Sequence, residues 1–185
     1  MSKGKLFVIS GASGVGKGTV LAEVMKARDD LEFSVSATTR PPRPTEREGV
    51  HYYFISEEKF EEMIANDAFV EYDRHAKASY GTPLGQMEEK LKRGNVILDI
   101  EPKGASIVHT KRPDAILIFI MPPSMEELER RLRGRGDTSD EQIAIRMERA
   151  KWEMEQRSWY DYVVVNDRLS DCVNEILNII AEKAD

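Results

Sequence analysis

Apolar runs and helical patterns alternate along most of the chain, and this alternation predicts its elements. Near-continuous hydrophobic runs, which suit strands covered on both faces, lie at 5–10, 95–100, 115–121 and 162–165, with a looser candidate at 33–37. Helical periodicity lies between them, over about 17–28, 84–93, 124–133, 139–156 and 170–183. Strands that alternate with helices predict an α/β sandwich with a parallel sheet.

The rhythm changes between about 39 and 82. Two short strand-like runs, 52–55 and 69–73, flank one short helical pattern at 57–66. An inserted lobe is therefore expected here, and its first segment, TTRPPRPTEREG, combines helix-breaking prolines with arginines that favour anions. The glycine-flanked segment GRGDTSD at 134–140 separates two arginine-bearing helical patterns, which predicts a lid that moves.

These changes divide one predicted domain, 1–185, into three parts. The core is expected at 1–38, 83–125 and 155–185, the inserted lobe at 39–82, and the lid region at 126–154.

Composition narrows the class of protein. The chain has 185 residues, of which 41% are hydrophobic and 32% charged, so it can bury a sizeable core. A net charge of −6 argues against a nucleic-acid polymer or an anionic membrane as partner. No apolar run approaches the roughly 20 residues of a membrane helix, and the start MSKGK leads straight into a predicted strand. We expect a cytoplasmic protein that is a monomer or a homodimer.

Cysteine and histidine usage argues against disulfide and transition-metal chemistry. The single cysteine, Cys172, excludes an internal disulfide, and the pattern of the last helix places it on the apolar face. His51, His75 and His109 are far apart and lack the spacing of metal ligands.

The segment GASGVGKGT lies between the first predicted strand and the first predicted helix. Its spacing of Gly11, Gly16 and Lys17 is that of a P-loop, whose backbone N–H groups converge on a polyphosphate at the positive end of a helix. Lys17 is expected to bridge the β and γ oxygens of ATP. The predicted ATP-binding loop comprises Gly11, Ala12, Ser13, Gly14, Val15, Gly16, Lys17, Gly18 and Thr19.

Magnesium binding is the point at which this loop departs from the general pattern. Gly18 stands where Ser or Thr usually offers a hydroxyl to Mg²⁺. Thr19 and Asp99, which closes a buried strand, are candidate ligands, although Asp99 could instead cap the next helix. Because Mg²⁺ keeps several waters, we expect it to bind with ATP without an assigned direct protein ligand.

Several segments occur along the chain in the order found in guanylate kinases: ISGASGVGKGTV, FSVSATTRPPRP, GVHYYF, FVEY, SYGTP, ILDIEPKGA, RLRGRGDTSDEQIAIR and YDYVVVND. They span nearly the whole sequence, which therefore resembles bacterial guanylate kinases. The resemblance implies a P-loop kinase three-layer sandwich with a parallel central sheet, an inserted mixed α/β GMP-binding lobe and a short arginine-rich lid. It also implies transfer of a phosphoryl group from ATP to GMP, with dGMP as a second acceptor.

The acceptor site follows from the same resemblance. Glu71 would accept the N1–H and exocyclic amine of guanine, two donors that one carboxylate can accept in a plane, whereas adenine would present a lone pair there. The implied GMP-binding residues are Ser36, Arg40, Arg43, Tyr52, Glu71, Tyr80, Thr82, Asp99 and Gly104. Pro102 and Lys103 depart from the family pattern, so no contact is assigned to position 103.

On the donor side, the resemblance assigns Arg131 and Arg135 to the ATP phosphates, Arg146 to the transferring phosphoryl group, and Asn166 to the surroundings of adenine. Arg130, Arg133 and Arg149 are expected to be solvated or paired with nearby glutamates. The implied catalytic set is Lys17, Arg40, Arg135 and Arg146. Direct in-line transfer needs alignment and charge neutralisation, because the acceptor oxygen is already anionic.

Two other functions stay open. One is a kinase for AMP or dTMP, against which Glu71 and the Arg40/Arg43 pair argue. The other is a catalytically silent guanylate-kinase-like module that binds a phosphorylated peptide, against which Lys17 and the lid arginines argue.

Overall fold

Strands and helices follow one another along the chain as β1 Leu6–Gly11, α1 Lys17–Ala27, β2 Leu31–Phe33, β3 Ala37–Thr38, β4 Tyr53–Phe54, α2 Glu57–Ala65, β5 Phe69–His75, β6 Ala78–Pro83, α3 Leu84–Leu91, β7 Asn95–Asp99, α4 Pro102–Lys111, β8 Ile116–Met121, α5 Met125–Arg133, α6 Asp140–Glu155, β9 Tyr162–Val165 and α7 Leu169–Ala184. The computed structural model describes residues 4–75, 77–134 and 139–184. Among these residues, no helix is both long enough and apolar enough to span a membrane.

The central sheet has five strands in the order β2-β7-β1-β8-β9, and every neighbouring pair is parallel. In the middle of the sheet, Val8 lies opposite Leu98 on one side and Leu117 on the other. All six residues of β1 are buried, which explains its near-continuous apolar sequence. The predicted α/β architecture with a parallel sheet is confirmed.

Helices cover both faces of this sheet and bury two separate hydrophobic clusters. Val24 of α1 and Ile176 of α7 belong to the cluster on one face, whereas Met87 of α3 and Val108 of α4 belong to the other. The sheet therefore forms the middle layer of a three-layer sandwich. Cys172 is buried in α7, within the first cluster.

A second sheet forms the lobe inserted between β2 and α3. Its strand order is β4-β3-β6-β5, with β5 and β6 paired as an antiparallel hairpin. Phe60 of α2 packs against Phe69 of β5 and Ala37 of β3, which gives this lobe a small hydrophobic cluster of its own. Ser56 begins α2 by accepting the Lys59 N–H at 3.1 Å.

The structure differs from the hydrophobic pattern in three elements. α4 was not among the predicted helices, but its Pro102 lies in the first turn, where a missing N–H costs little, and Ala105 and Val108 are buried. The predicted strand 33–37 is divided, because β2 ends at Phe33 and β3 belongs to the other sheet. β6 contains Gly81 and Pro83 and becomes a strand through its pairing with β5.

Candidate active site

Glycine shapes the loop that joins β1 to α1. Gly14 and Gly16 have φ angles of 86° and 92°, in the left-handed region that favours glycine. A Cβ atom at Gly11 would lie 2.7 Å from the Ile120 carbonyl oxygen, so the loop needs glycine there as well. No side chain caps α1, which leaves its first-turn N–H groups suited to an anionic ligand.

Lys17 extends from this loop to the carboxylate of Asp99 at the end of β7. Burial lowers the pKa of Lys17 to about 8, although the negative charges of Glu101 and Glu153 act to raise it. Lysine is then still mostly protonated at pH 7. Asp99 is the ion-pair partner of Lys17, whereas Glu101 occupies the N-cap position of α4 without a side-chain cap bond.

A cleft of about 490 Å³ separates the P-loop side of the sheet from the inserted lobe. Its lining includes Lys17 together with nearly all the predicted acceptor residues: Ser36, Arg40, Arg43, Tyr52, Glu71, Tyr80, Asp99 and Gly104. Thr82 is absent from the lining, but its hydroxyl donates a hydrogen bond to Glu71. The fold thus brings the predicted acceptor residues to one place beside Lys17.

Glu71 supplies a buried carboxylate in this cleft. Its side chain accepts the Thr82 hydroxyl at 2.5 Å, and burial raises the pKa of Glu71. A Cβ atom at Gly104 would lie 2.8 Å from Glu71 Oε2, so the glycine leaves room for the carboxylate. Such a desolvated acceptor suits a planar ligand that offers two N–H donors.

Arg40 is held by Glu46, a residue that the sequence pattern did not reveal. Its two terminal nitrogens donate to the two Glu46 oxygens at 2.7 Å each, and Glu46 also accepts the Arg43 N–H at 2.8 Å. The Arg40 guanidinium lies 5.1 Å from the centre of the Tyr52 ring. Arg40 lowers the pKa of Glu46 to about 2, so this pair is ionised at neutral pH. An acid six residues after an arginine in a proline-rich loop was the available signal.

The donor-side residues lie around the other edge of the P-loop. Asn166 follows β9 and donates from Nδ2 to the Val15 carbonyl at 2.8 Å, while Arg131 donates to the Asn166 carbonyl at 2.8 Å. Arg146 is half-buried on α6 and is not among the described residues that line the cleft. Arg135 lies outside the described residues.

The other arginines of α5 and α6 pair with glutamates. Arg130 and Arg133 form ion pairs with Glu127 and Glu129 on α5. Arg149 donates to the buried Glu153 at 2.9 Å, and Glu153 also accepts the Ser13 N–H of the P-loop at 2.6 Å. The role of Glu153 was not foreseen, because its partner in the loop is distant in sequence.

Possible metal-binding side chains are not clustered in the described part of the chain. No group of three or more His, Cys, Asp or Glu residues there is arranged to hold a metal ion. The carboxylate of Asp99 in the cleft is nevertheless an oxygen donor of the kind that Mg²⁺ accepts directly or through water.

Comparison with known proteins places the chain among nucleotide kinases. The guanylate kinase family model matches residues 3–183. A guanylate kinase of Thermus thermophilus is 49% identical over 179 residues, covering 96% of this chain and 81% of the relative. That of Synechococcus sp. is 46% identical over 176 residues, covering 95% of this chain and 81% of the relative.

Solved structures agree with this assignment. The crystal structure of guanylate kinase from Anaplasma phagocytophilum aligns with a TM-score of 0.80 and 31% identity, over 99% of this chain and 87% of that one. The SH3-kinase fragment of tight junction protein 3, at 13% identity and a TM-score of 0.53, shares the fold alone. A family match over almost every residue, with relatives at nearly half identity, shows that the chain belongs to the guanylate kinase family.

Proposed function

We propose that the protein transfers the γ-phosphoryl group of ATP to GMP, and also to dGMP, and so forms ADP and GDP. One observation carries this proposal: a single cleft brings together Lys17 of the P-loop, the buried carboxylate of Glu71 and the Arg40/Arg43 pair. The first residue suits a phosphoryl donor, the second suits guanine, and the arginine pair suits the phosphate of the acceptor.

Guanine recognition rests on Glu71, with Ser36 and Thr82 completing the base contacts. The ionised carboxylate accepts both N–H donors of guanine, and binding them repays the desolvation that raises its pKa. Adenine offers no matching pair of donors, so its complex would leave a buried charge unsatisfied. Discrimination against AMP is therefore built into the buried site.

The acceptor phosphate is bound by Arg40, Arg43 and the hydroxyls of Tyr52 and Tyr80. Glu46 holds the Arg40 fork in one orientation, and Tyr52 lies against its guanidinium, so little side-chain entropy is left to lose on binding. The inserted lobe, predicted at 39–82, thus serves as the GMP-binding lobe.

The ATP phosphates lie in the loop Gly11–Thr19, with Lys17 following the charge as it moves during transfer. Arg131, Arg135 and Arg146 of the lid region, 126–154, add positive charge, and Asn166 lies beside the adenine ring. Alignment and charge neutralisation are sufficient here, since an anionic phosphate oxygen is itself the nucleophile.

Magnesium accompanies ATP and supplies neutralisation of the phosphate oxygens during transfer. Asp99 would hold it, directly or through water, and the Thr19 hydroxyl is the second candidate. Asp99 also keeps Lys17 in the cleft, so its carboxylate serves the donor side as well as the acceptor side. We further propose that the protein acts in the cytoplasm, as a monomer or a homodimer without nucleic-acid or membrane partners.

An acceptor screen tests this function. Purified protein with ATP and Mg²⁺ is offered GMP, dGMP, AMP or dTMP, and ADP release is followed by a coupled assay. We expect release that depends on GMP, with AMP slower by about 10⁴-fold, as for a buried polar mismatch. Faster turnover of AMP or dTMP would indicate another monophosphate kinase. Binding of GMP with no ADP release would indicate a silent interaction module.

A further inference from the structure

Glu153 is a buried carboxylate near the end of α6 that contacts the P-loop directly. Its side chain is almost completely enclosed, with 2% of the residue exposed, and it accepts the Ser13 N–H at 2.6 Å. A carboxylate so deeply placed needs strong partners, because an unpaired buried charge is costly. The loop backbone provides one of them.

Arg149 provides the second partner. Its Nε donates to Glu153 at 2.9 Å, and its other side forms an ion pair with Glu101 at the N-cap of α4. Arg149 therefore bridges two carboxylates: Glu153 of the same helix, which accepts the Ser13 N–H of the P-loop, and Glu101, which lines the cleft. The loop, α6 and the beginning of α4 are connected by charge-assisted contacts.

The spacing of residues along α6 places these contacts on the same face of the helix as Arg146. Arg149 and Glu153 lie three and seven residues after Arg146, so the three side chains share one face of the helix. Arg146 is the residue assigned above to the transferring phosphoryl group. The contact between Glu153 and the P-loop therefore anchors the helix that carries Arg146 to the loop that leads into Lys17.

We propose that Glu153 is a positioning residue for phosphoryl transfer, which holds the P-loop and the Arg146-bearing face of α6 in register so that Lys17 and Arg146 reach the same phosphoryl group. This inference rests on the proposed kinase function. It adds a residue that contacts neither nucleotide and acts through the loop backbone and Arg149.

The ionised form of Glu153 is the one that the arrangement requires. The groups that face it are the Ser13 N–H and Arg149, which favour the carboxylate, and Glu101, which opposes it. Lys17 and Tyr160 also interact electrostatically with Glu153. Burial outweighs the favourable contacts and raises the pKa of Glu153 above the ordinary glutamate value of 4.5. The positioning contact is complete above that raised pKa and is lost as the pH falls through it.

Glu153→Gln is the informative variant, because the amide keeps the size of the side chain and an oxygen that can accept the Ser13 N–H while it loses the charge. Glu148→Gln is the matched control: the same change on the same helix, at an exposed residue paired only with Lys151 among the described contacts. Wild-type GDP formation is measured first, so a failure of the proposed function appears before any variant is tested.

We expect kcat of the Glu153→Gln variant to fall about tenfold, equivalent to about 1.4 kcal/mol in the barrier, with KM for GMP unchanged. The acid limb of its pH profile of kcat should shift relative to that of the wild type. The Glu148→Gln variant should match the wild type both in kcat and in its pH profile. An unchanged kcat and pH profile in a folded Glu153→Gln protein would overturn the proposal, as would a loss accounted for by a smaller folded fraction.

A second variant keeps the proposal testable if Glu153→Gln does not fold. Arg149→Gln changes a half-exposed side chain, removes the charge partner of Glu153 and leaves the Ser13 contact available. We expect kcat of the Arg149→Gln variant to fall several-fold. Where both single variants fold, kcat of the double variant should fall by less than the product of the two single fold-losses. Wild-type kcat in Arg149→Gln, or independent effects in the double variant, would overturn the proposal.

Discussion

At the scale of single residues, two cations of the cleft, Lys17 and Arg40, are paired with carboxylates of the same cleft. Lys17 pairs with Asp99, and both terminal nitrogens of Arg40 are bonded to Glu46. Each pairing holds a flexible side chain where a phosphate would need it. Substrate binding therefore adds charge to a site whose side chains are largely ordered, which lowers the entropy lost on binding.

Lys17→Ala should reduce kcat by at least about 10²-fold, the usual scale for removing one preorganised electrostatic contact in a transition state. GMP affinity should change little, because Glu71 and the arginine pair bind the acceptor. Steady-state kinetics and calorimetric titration with GMP measure the two effects. Lys26→Ala, at the exposed end of the same helix, is the control. A comparable loss of GMP affinity would contradict the division into donor and acceptor sites.

Glu71→Gln should raise the Kd for GMP by about 10- to 10²-fold, since hydrogen bonds to a charged group contribute about 1.5–3 kcal/mol. ATP affinity should be unchanged, and Glu61→Gln, an exposed change on α2, should behave as wild type. A larger effect on ATP affinity than on GMP affinity would contradict the assignment of Glu71 to the GMP pocket.

The ionisation of Glu71 also predicts a pH dependence. Burial raises its pKa, so the carboxylate that guanine needs is present above this raised value and is lost as the pH falls through it. Guanosine affinity should therefore weaken at a higher pH than an ordinary glutamate of pKa 4.5 would cause. Guanosine is the preferred probe because it lacks a titrating phosphate. A flat wild-type profile would contradict the assignment.

At the scale of elements, α4 connects the core to the inserted lobe by lying close to β5. Gly104 lies in this helix against Glu71, and Lys103 forms an ion pair with Asp73 of β5. Lys103 therefore supplies a contact between the core and the inserted lobe. α4 also illustrates where pattern reading fails, because proline and glycine in its first turn conceal a helix whose apolar face is short.

Gly104→Ala should weaken GMP binding by about tenfold or more while the protein stays folded. Its Cβ would lie 2.8 Å from Glu71 Oε2, and the carboxylate can move only by disturbing its bond to Thr82. Gly85→Ala is the matched control, since a Cβ atom there has no described neighbour within 4 Å. The control should keep wild-type affinity and gain up to about 1 kcal/mol of stability from helix propensity. Equal GMP affinities in the two variants would contradict this role for Gly104.

At the scale of the whole molecule, two hydrophobic clusters hold the layers of the sandwich together, and a separate small cluster packs the inserted lobe. The cleft is lined by residues of both the core and the lobe, so a nucleotide bound there would contact more than one of these parts. Ligand binding should consequently stabilise the folded protein as a whole rather than one segment.

GMP at about 100 times its Kd should add about 2.7 kcal/mol to the free energy of unfolding, by mass action. Thermal unfolding followed by circular dichroism measures the rise in Tm. The Glu71→Gln protein at the same GMP concentration should show a smaller rise, because less of it is bound. Equal rises in the two proteins would argue that GMP binds elsewhere.

Local patterns in the amino-acid sequence were sufficient to predict the buried strands, the P-loop and most helices. These features depend on residues close together along the chain, so hydrophobic period and glycine spacing reveal them. The resemblance to guanylate kinases extended the prediction to a site, and the fold brings its described acceptor residues to one cleft. The roles of the acceptor and donor residues both stay predictions, and Arg135 lies outside the described residues.

Only the tertiary structure decided which side chains support that site. Glu153 and Ser13 are 140 residues apart, and Thr82 reaches Glu71 through the pairing of β5 and β6. Neighbouring residues in the sequence do not reveal such partners, because the hydrogen-bond donors that a buried carboxylate needs come from distant parts of the chain. Local sequence thus predicts the P-loop and its flanking elements, whereas packing determines the contacts that hold the P-loop, α6 and the Glu71 carboxylate in place.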